Sequence, residues 1–111
     1  MTIDRALFMK LPLQIHFAEV DRSEAVEADI RRRVDKLEAL SEKVTACRVH
    51  VAHEGRHHHQ GRLFKVGVDL TFPGAEIVSS HADEDVFVAI RDAFEAAHRQ
   101  LKERLRRTQR T

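Results

Sequence analysis

Apolar and polar residues alternate in three short segments of this chain, and a period of two is typical of strands that bury one face. The third segment is the longest and clearest. Pro73 and Gly74 follow it and predict a tight turn, because proline presets φ and glycine accepts a positive φ. These three predicted strands have their apolar positions at Leu13, Ile15 and Phe17; at Cys47, Val49 and Val51; and at Phe64, Val66, Val68, Leu70 and Phe72. A fourth strand is predicted from about Ala75 to Ser80.

Two longer segments place apolar residues at helical spacing. Ser23 can cap the first helix with its hydroxyl, and that helix is expected to end near Ser41. Asp83 is expected to cap the second helix, and capping together with the helix dipole accounts for the neighbouring acids Glu84 and Asp85. The apolar positions are Val26, Ile30, Val34, Leu37 and Leu40 in the first helix, and Val86, Ile90, Ala93, Phe94, Ala97, Leu101 and Leu105 in the second.

This order of elements, β-α-β-β-β-α, predicts an α+β two-layer sandwich in which both helices cover one face of a four-stranded sheet. The first two strands should be parallel with a right-handed crossover, and the last three should form an antiparallel meander. The α-β-β-β-α part of this order is also the general topology of double-stranded RNA-binding domains. One domain is expected over residues 1–111, with its core at about 12–108 and an N-terminal extension at 1–11. The outer face of the sheet is predicted to expose Gln14, His16, Arg48, His50, Lys65 and Asp69.

Composition narrows the class of protein. With 111 residues, 42% of them hydrophobic and 33% charged, the chain is too apolar for a disordered protein and too charged for a membrane protein. No apolar run reaches the length of a signal peptide or a membrane span, so a cytoplasmic protein with no membrane partner is expected. The single cysteine, Cys47, rules out a disulfide within the chain, and its inward position on a strand predicts a buried, unreactive thiol.

The near-neutral total of 19 basic and 18 acidic residues conceals a basic end. Residues 98–111 hold six of the basic residues and one acid, and the rest of the chain is net acidic. Because salt confines surface electrostatics to about 10 Å, such an end can bind a polyanion locally. A solvated helix end that the helix dipole favours has the same composition, so charge alone leaves both interpretations open.

Three adjacent histidines, His57, His58 and His59, stand in a loop between Gly55 and Gly61. Neighbouring side chains on an extended chain point in alternating directions, so the triplet does not converge on one metal ion, and the loop holds no acid or cysteine to complete a ligand set. The histidines are therefore weak metal candidates, and no cofactor is expected. A metal-binding or protein-interaction module that uses this loop is the alternative function.

No catalytic constellation emerges from the sequence. The chain lacks a Gly-x-Ser-x-Gly elbow, a phosphate-binding loop and a Gly-x-Gly-x-x-Gly motif, and no spacing aims a base at Cys47. We therefore expect neither an enzyme nor a small-molecule substrate.

Basic side chains lie off the apolar stripes of both predicted helices. Arg32 and Lys36 are one turn apart on the first helix, and Arg99, Lys102 and Arg106 share one side of the second. If the helices lie side by side, these cations can line a shared groove or ridge and contact phosphates, which contribute affinity with little sequence information. The chain has no Trp or Tyr, and its six Phe lie mostly in core positions, so a base-stacking platform is not expected.

Four parts of the chain resemble the short form of the ribosome hibernation promoting factor family, whose members are also called ribosome-associated translation inhibitors or sigma-54 modulation proteins. The resemblance covers about Leu13 to Arg107, and the order and spacing of the parts are its most specific aspect. The matching segments are Leu13-Gln14-Ile15 with Ser23-Glu24-Ala25; Lys36-Leu37-Glu38; Pro73-Gly74-Ala75-Glu76-Ile77 with Ser79-Ser80; and Asp85-Val86-Phe87-Val88-Ala89-Ile90 with Arg99-Gln100-Leu101-Lys102.

The resemblance implies a non-enzymatic factor that binds the small ribosomal subunit in the channel between head and body. There it overlaps the messenger and transfer RNA sites and inhibits translation in stationary phase or starvation. In the family, basic side chains of both helices contact ribosomal RNA, and the matching positions here are Lys36, Arg99 and Lys102. The predicted geometry adds Arg32, Arg33, Arg91 and Arg106 to this candidate rRNA-binding set.

The sequence departs from the family pattern at three positions of the second helix and in one loop. Ala96 stands where a lysine is usual, Ala97 where a larger apolar residue is usual, and Phe87 replaces a customary tyrosine. The loop between the second and third strands is longer than in typical short members, and the histidine run lies in that extra length.

Overall fold

The helices and strands follow one another in the predicted order, β-α-β-β-β-α. A computed structural model describes residues 12–54 and 63–110 of the chain. The predicted extension 1–11 and the predicted loop 55–61 with its three histidines lie outside the described residues. The elements are β1 (Leu13–Ala18), α1 (Glu24–Leu40), β2 (Ala46–Glu54), β3 (Leu63–Phe72), β4 (Ala75–Asp83) and α2 (Val86–Arg110).

The four strands form one sheet in the order β1-β2-β3-β4. β1 pairs with β2 in parallel, so that Leu13 lies opposite Cys47 and His16 lies opposite His50. β2 and β3 are antiparallel, as are β3 and β4, and Gly74 closes the last hairpin with a φ of 75° that suits glycine. The predicted parallel pair and antiparallel meander are both confirmed.

The core lies between one face of the sheet and both helices. Val51, Val66 and Leu70 are fully buried on the inward face of β2 and β3. They belong to one apolar cluster with Ile30 of α1 and Ile90 of α2. Because strand and helix residues share this cluster, both helices cover the same face, as predicted. The outer face leaves Gln14, His16, Arg48, His50 and Lys65 exposed and Asp69 partly exposed.

The ends of α1 follow the sequence prediction. Ser23 has an extended backbone, and its hydroxyl accepts a 3.2 Å hydrogen bond from the Val26 N–H. This bond satisfies one of the N–H groups that a first helical turn leaves without a partner. At the other end, the Ser41 N–H donates to the Leu37 carbonyl at 3.3 Å. A serine therefore marks each boundary of α1.

The start of α2 differs from the prediction in two ways. β4 continues to Asp83 instead of ending near Ser80, because Asp83 still pairs with Phe64 of β3. The helix cap is Asp85, whose Oδ1 accepts a 2.9 Å hydrogen bond from the Phe87 N–H. Asp83, the predicted cap, instead accepts a 2.9 Å hydrogen bond from the Asp85 N–H and closes the turn between β4 and α2.

Cys47 lies on the inward face of β2 and is buried, as predicted. Burial raises the pKa of its thiol to about 12, and the negative charge of Asp69 adds to this effect. A thiol with so high a pKa stays protonated at neutral pH and is a poor nucleophile, since the thiolate is the reactive form.

Candidate nucleic-acid interface

Contacts between β4 and α2 determine the direction in which α2 crosses the sheet, and with it the position of the basic residues of α2. The Ser79 hydroxyl donates a buried 2.8 Å hydrogen bond to the Ala93 carbonyl. Nearer the start of β4, the Gln100 side chain donates to the Val78 carbonyl at 3.5 Å. α2 therefore runs antiparallel to β4. Since α1 leads back from the end of β1 to the start of the parallel strand β2, both helices point in the same direction across the sheet.

An inter-helix groove of about 380 Å³ lies between α1 and α2. Leu37 of α1 and Phe94 of α2 line its apolar base, and each is at most 3% exposed. Polar side chains from both helices stand around this base. These wall residues are Arg33 and Lys36 from α1, and Glu95, His98 and Arg99 from α2.

Lys36 and Arg99 stand on opposite walls of the inter-helix groove, and both residues are exposed. Neither forms an ion pair with an acid among the described residues. Of the described residues that line the groove, Glu95 is the one acid, against the three cations Lys36, Arg99 and Arg33. The groove therefore carries a net positive charge and can bind an anion between its walls.

Asp29 is a buried acid beside the candidate cations of α1. It is 5% exposed, and its carboxylate accepts hydrogen bonds from Arg32 Nη2 and from Arg33 Nε, the latter at 3.2 Å. The pairs have the i,i+3 and i,i+4 spacing at which helical side chains meet. Asp29 thus offsets part of the charge of the two arginines and orients both guanidinium groups.

Two further candidate cations on α2 are paired with acids. Arg91 contacts Asp92 at 3.0 Å, and this hydrogen bond raises the pKa of the Arg91 guanidinium above its ordinary value. Arg106 contacts Glu103 at 2.9 Å. Lys102 is exposed and forms no ion pair within the described part of the chain. Of these three candidate cations, none lines the inter-helix groove.

A second groove, the α2-flank groove, lies on the other side of α2 toward the start of β4 and has a volume of about 510 Å³. The Arg104 guanidinium lies 5.4 Å from the centre of the Phe72 ring, a cation–π contact that anchors this side chain. A hydrogen bond with Asp69 raises the pKa of Glu76, which lines this groove. The lining residues are Glu76, Ile77, Arg99, Gln100, Glu103, Arg104, Arg106 and Arg107.

The structure thus separates the seven candidates into groups. Arg33, Lys36 and Arg99 meet at the inter-helix groove, and Arg99 and Arg106 line the α2-flank groove. Arg32, Arg91 and Lys102 line neither groove. Sequence reasoning did not identify His98, Glu95, Arg104 and Arg107 as groove residues.

Ala96 and Ala97 belong to the packed side of α2. Ala96 is 8% exposed and Ala97 is fully buried. Position 96 is therefore buried, although it lies outside the main apolar cluster, and it does not line the inter-helix groove. Phe87 lies at the start of the helix and is 43% exposed.

Within residues 12–54 and 63–110, no group of three or more His, Cys, Asp or Glu side chains could hold a metal ion. The weak candidates His57, His58 and His59 lie outside those ranges. Neither of the two helices found there is long and apolar enough to cross a membrane.

The architecture defines a two-layer α+β domain whose helical layer carries a basic groove. Residues 13–109 match the family described as sigma 54 modulation protein / S30EA ribosomal protein. Because this match spans most of the chain, the protein belongs to that family. A comparison with curated proteins finds no significant match.

Two solved structures have the same fold. A ribosomal subunit interface protein from Coxiella burnetii superposes with a TM-score of 0.72 at 13% identity, covering 84% of this chain and 96% of that one. The N-terminal domain of Protein Y from Thermus thermophilus superposes with a TM-score of 0.70 at 14% identity, covering 84% of this chain and 98% of that one. At such identities the similarity confirms the β-α-β-β-β-α fold alone.

Proposed function

We propose that this protein binds the small ribosomal subunit, occupies its mRNA and tRNA channel and inhibits translation while ribosomes are idle. The description of the family names a ribosomal protein, and one of the similar structures is a ribosomal subunit interface protein. The observation that supports the proposal most directly is the arrangement of Lys36 and Arg99 on opposite walls of one groove, without acidic partners among the described residues.

Phosphate groups of rRNA are the proposed ligands of the inter-helix groove. Lys36 binds a phosphate as a point charge, and Arg99 can donate two parallel hydrogen bonds to phosphate oxygens. The apolar base formed by Leu37 and Phe94 limits water beneath the ligand, and lower water content strengthens electrostatic attraction. Such contacts supply affinity and orientation with little base specificity, which suits binding to folded RNA.

The candidate cations should contribute unequally to rRNA binding. Lys36, Arg99 and Lys102 form no ion pair within the described residues, so the full positive charge of each is available to attract a phosphate. The other four candidates must share their charge between an acid and the phosphate. These four are Arg32, Arg33, Arg91 and Arg106.

Inhibition requires no chemical step in this proposal. A bound domain excludes messenger and transfer RNA from the channel by its volume, and the buried thiol of Cys47 takes no part. The contribution of the protein is a rigid surface, in which the packing of both helices on one sheet holds the two walls of the groove at a fixed separation.

Co-sedimentation with purified small subunits and with whole ribosomes tests the proposal. The wild-type protein should pellet with small subunits at low salt, and its affinity should fall steeply as salt rises, because phosphate binding releases counterions. The double variant Lys36→Glu/Arg99→Glu should bind at least about tenfold more weakly, and lose salt dependence equivalent to about two phosphate contacts. The same variant should lose inhibition in a translation assay.

Arg31→Glu is the matched control for charge reversal on α1. Arg31 is exposed and does not line the inter-helix groove. Its reversal should leave pelleting nearly unchanged. If Arg31→Glu weakens binding as much as Lys36→Glu, the groove is not the binding site, and if the wild-type protein does not pellet at low salt, the proposed function is wrong.

A further inference from the structure

The outer face of the sheet, opposite the helices, contains a shallow depression of about 550 Å³. On its β1–β2 side, His16 of β1 and His50 of β2 face each other in register, with ring centroids 4.8 Å apart and ring planes tilted by 34°. Both residues are exposed. Histidine is one of the side chains on which unpaired RNA bases stack, so this pair offers a platform for a planar ligand.

His16 and His50 begin a row of outward-facing residues that crosses the sheet from β1 to β4. The other two residues of this row have little side-chain bulk. Gly67 of β3 lies opposite His50, and Ser80 of β4 lies opposite Gly67. A Cβ atom on Gly67 would come no closer than 3.8 Å to the His50 Cβ or to the Ser79 carbonyl oxygen. The surface over Gly67 and Ser80, beside the two rings, is therefore open, and we call it the shelf. A ligand that stacks on the rings can extend over this shelf.

Hydrogen-bonding groups border the shelf on one side. Gln14, Arg48 and Asp69 occupy the adjacent row across β1, β2 and β3. Arg48 Nη2 donates to Asp69 Oδ2 at 3.0 Å, which holds the guanidinium against the sheet while its side chain remains 59% exposed. The other N–H groups of Arg48 and the Gln14 amide are placed to bind a base edge or a phosphate.

We propose that this depression binds an unpaired nucleotide of single-stranded RNA, with its base on the His16–His50 pair and Arg48 on its phosphate or base edge. The cores of protein–protein interfaces are rich in large apolar and aromatic side chains. Among the described residues that line the depression, Val78 is the one large apolar residue that is exposed. The chemistry of this face therefore favours RNA over a protein partner.

This inference goes beyond the proposed function, because it concerns the face opposite the inter-helix groove. Charge reversal on the helices leaves the histidine platform unchanged. The two layers of the domain would then contact two separate RNA segments, one through phosphates and one through a stacked base.

The test uses the full chain and a fluorescein-labelled oligouridine octanucleotide at low salt. To remove attraction to the basic groove, fluorescence anisotropy is measured with the Lys36→Glu/Arg99→Glu protein as the parent. The parent should bind the oligonucleotide, and the amide signals that shift in its NMR spectrum should belong to the sheet. His16→Ala/His50→Ala in this parent should weaken binding by about five- to 150-fold, the range expected for lost base stacking.

Gly67→Val in the same parent supplies an independent test that adds bulk instead of removing a ring. Valine suits a strand, and its Cβ has room here, so the melting temperature should be maintained. Its side chain fills the shelf, so binding should weaken at least about tenfold. His81→Ala is the matched control, because His81 is an exposed histidine that does not line the depression.

Four results would overturn the proposal: a parent that does not bind the oligonucleotide, amide shifts confined to the helices, unchanged affinity in His16→Ala/His50→Ala, or unchanged affinity in Gly67→Val. These results are distinct from failure of the proposed function. Ribosome pelleting should be lost when the charges of Lys36 and Arg99 are reversed. Binding of the oligonucleotide is measured in a protein that already carries both of these reversals.

Discussion

The Ser79 hydroxyl and the Ala93 carbonyl form a buried 2.8 Å hydrogen bond between residues 14 positions apart in the chain. Ser79 is 7% exposed and lies in an otherwise apolar layer between β4 and α2. Away from water a hydrogen bond is strong and an unpaired polar group is costly, so this bond fixes the position of α2 along β4. The same contact therefore helps to place Arg99, less than two turns further along the helix.

Ser79→Ala should lower the free energy of unfolding by about 1 kcal/mol, the usual net value of a buried hydrogen bond. Ser80→Ala is the matched control, since Ser80 is exposed on the opposite face of the same strand and surface substitutions usually change stability by less than about 0.5 kcal/mol. Urea unfolding of the two variants provides the comparison. Equal effects would show that the hydrogen bond to Ala93 does not anchor the helix.

Asp29→Asn should destabilise the fold and strengthen RNA binding. The substitution removes a buried charge that Arg32 and Arg33 both contact, at a cost of about 1–3 kcal/mol. It also frees both arginines for phosphate, so pelleting with small subunits should persist to higher salt. Asp35→Asn is the control, because Asp35 is an exposed acid of the same helix. If both variants shift the salt dependence equally, net charge alone explains the effect.

Asp85→Ala should reduce stability by about 1 kcal/mol, because it removes the side-chain cap of α2. Glu84→Ala changes the neighbouring exposed acid, for which no capping hydrogen bond is found among the described residues, and should leave stability nearly unchanged. Thermal unfolding distinguishes the two. A larger loss in Glu84→Ala would contradict the assignment of Asp85 as the cap.

The buried thiol of Cys47 should make the protein less stable at alkaline pH. Because burial raises the pKa of the folded thiol to about 12, the unfolded chain releases this proton first as the pH rises. The native state then holds the extra proton, so stability falls between the unfolded pKa and about 12, by at most about 1.4 kcal/mol per pH unit. At lower pH the contribution is fully present. Urea unfolding from neutral to alkaline pH should show a steeper decline in wild type than in Cys47→Ala, and parallel declines would refute the effect.

Most of the fold follows from the periodicity of apolar residues, whereas the ends of elements depend on their partners. The sequence predicts an end of β4 near Ser80. The strand continues to Asp83 because Phe64 of β3 offers a backbone partner there. Similarly, Asp83 and Asp85 can both cap a helix by composition, and only the path of the backbone decides between them.

The candidate interface could be predicted only in part. The sequence allows the basic residues of both helices to line a shared groove or ridge, and the structure places Lys36 and Arg99 around one groove. The pairing of Arg32 and Arg33 with Asp29 was missed, although the i,i+3 and i,i+4 spacing contains the signal.

The stacking platform illustrates a different limit of sequence reasoning. His16 and His50 are correctly predicted to face outward, but they lie far apart in the chain. Only the parallel register of β1 and β2 places one ring opposite the other. A count of Trp, Tyr and Phe could not reveal this pair, because the rings belong to histidines.

The spatial order of the strands, β1-β2-β3-β4, is also the order in which the chain is synthesised. Every new strand therefore joins the free edge formed by the strand before it, and no strand has to insert between two that are already paired. Contacts between strands that are near in sequence require short loop closures and favour rapid folding. The sheet can grow in one direction as it leaves the ribosome, and α2 arrives last to cover the apolar surface of β3 and β4.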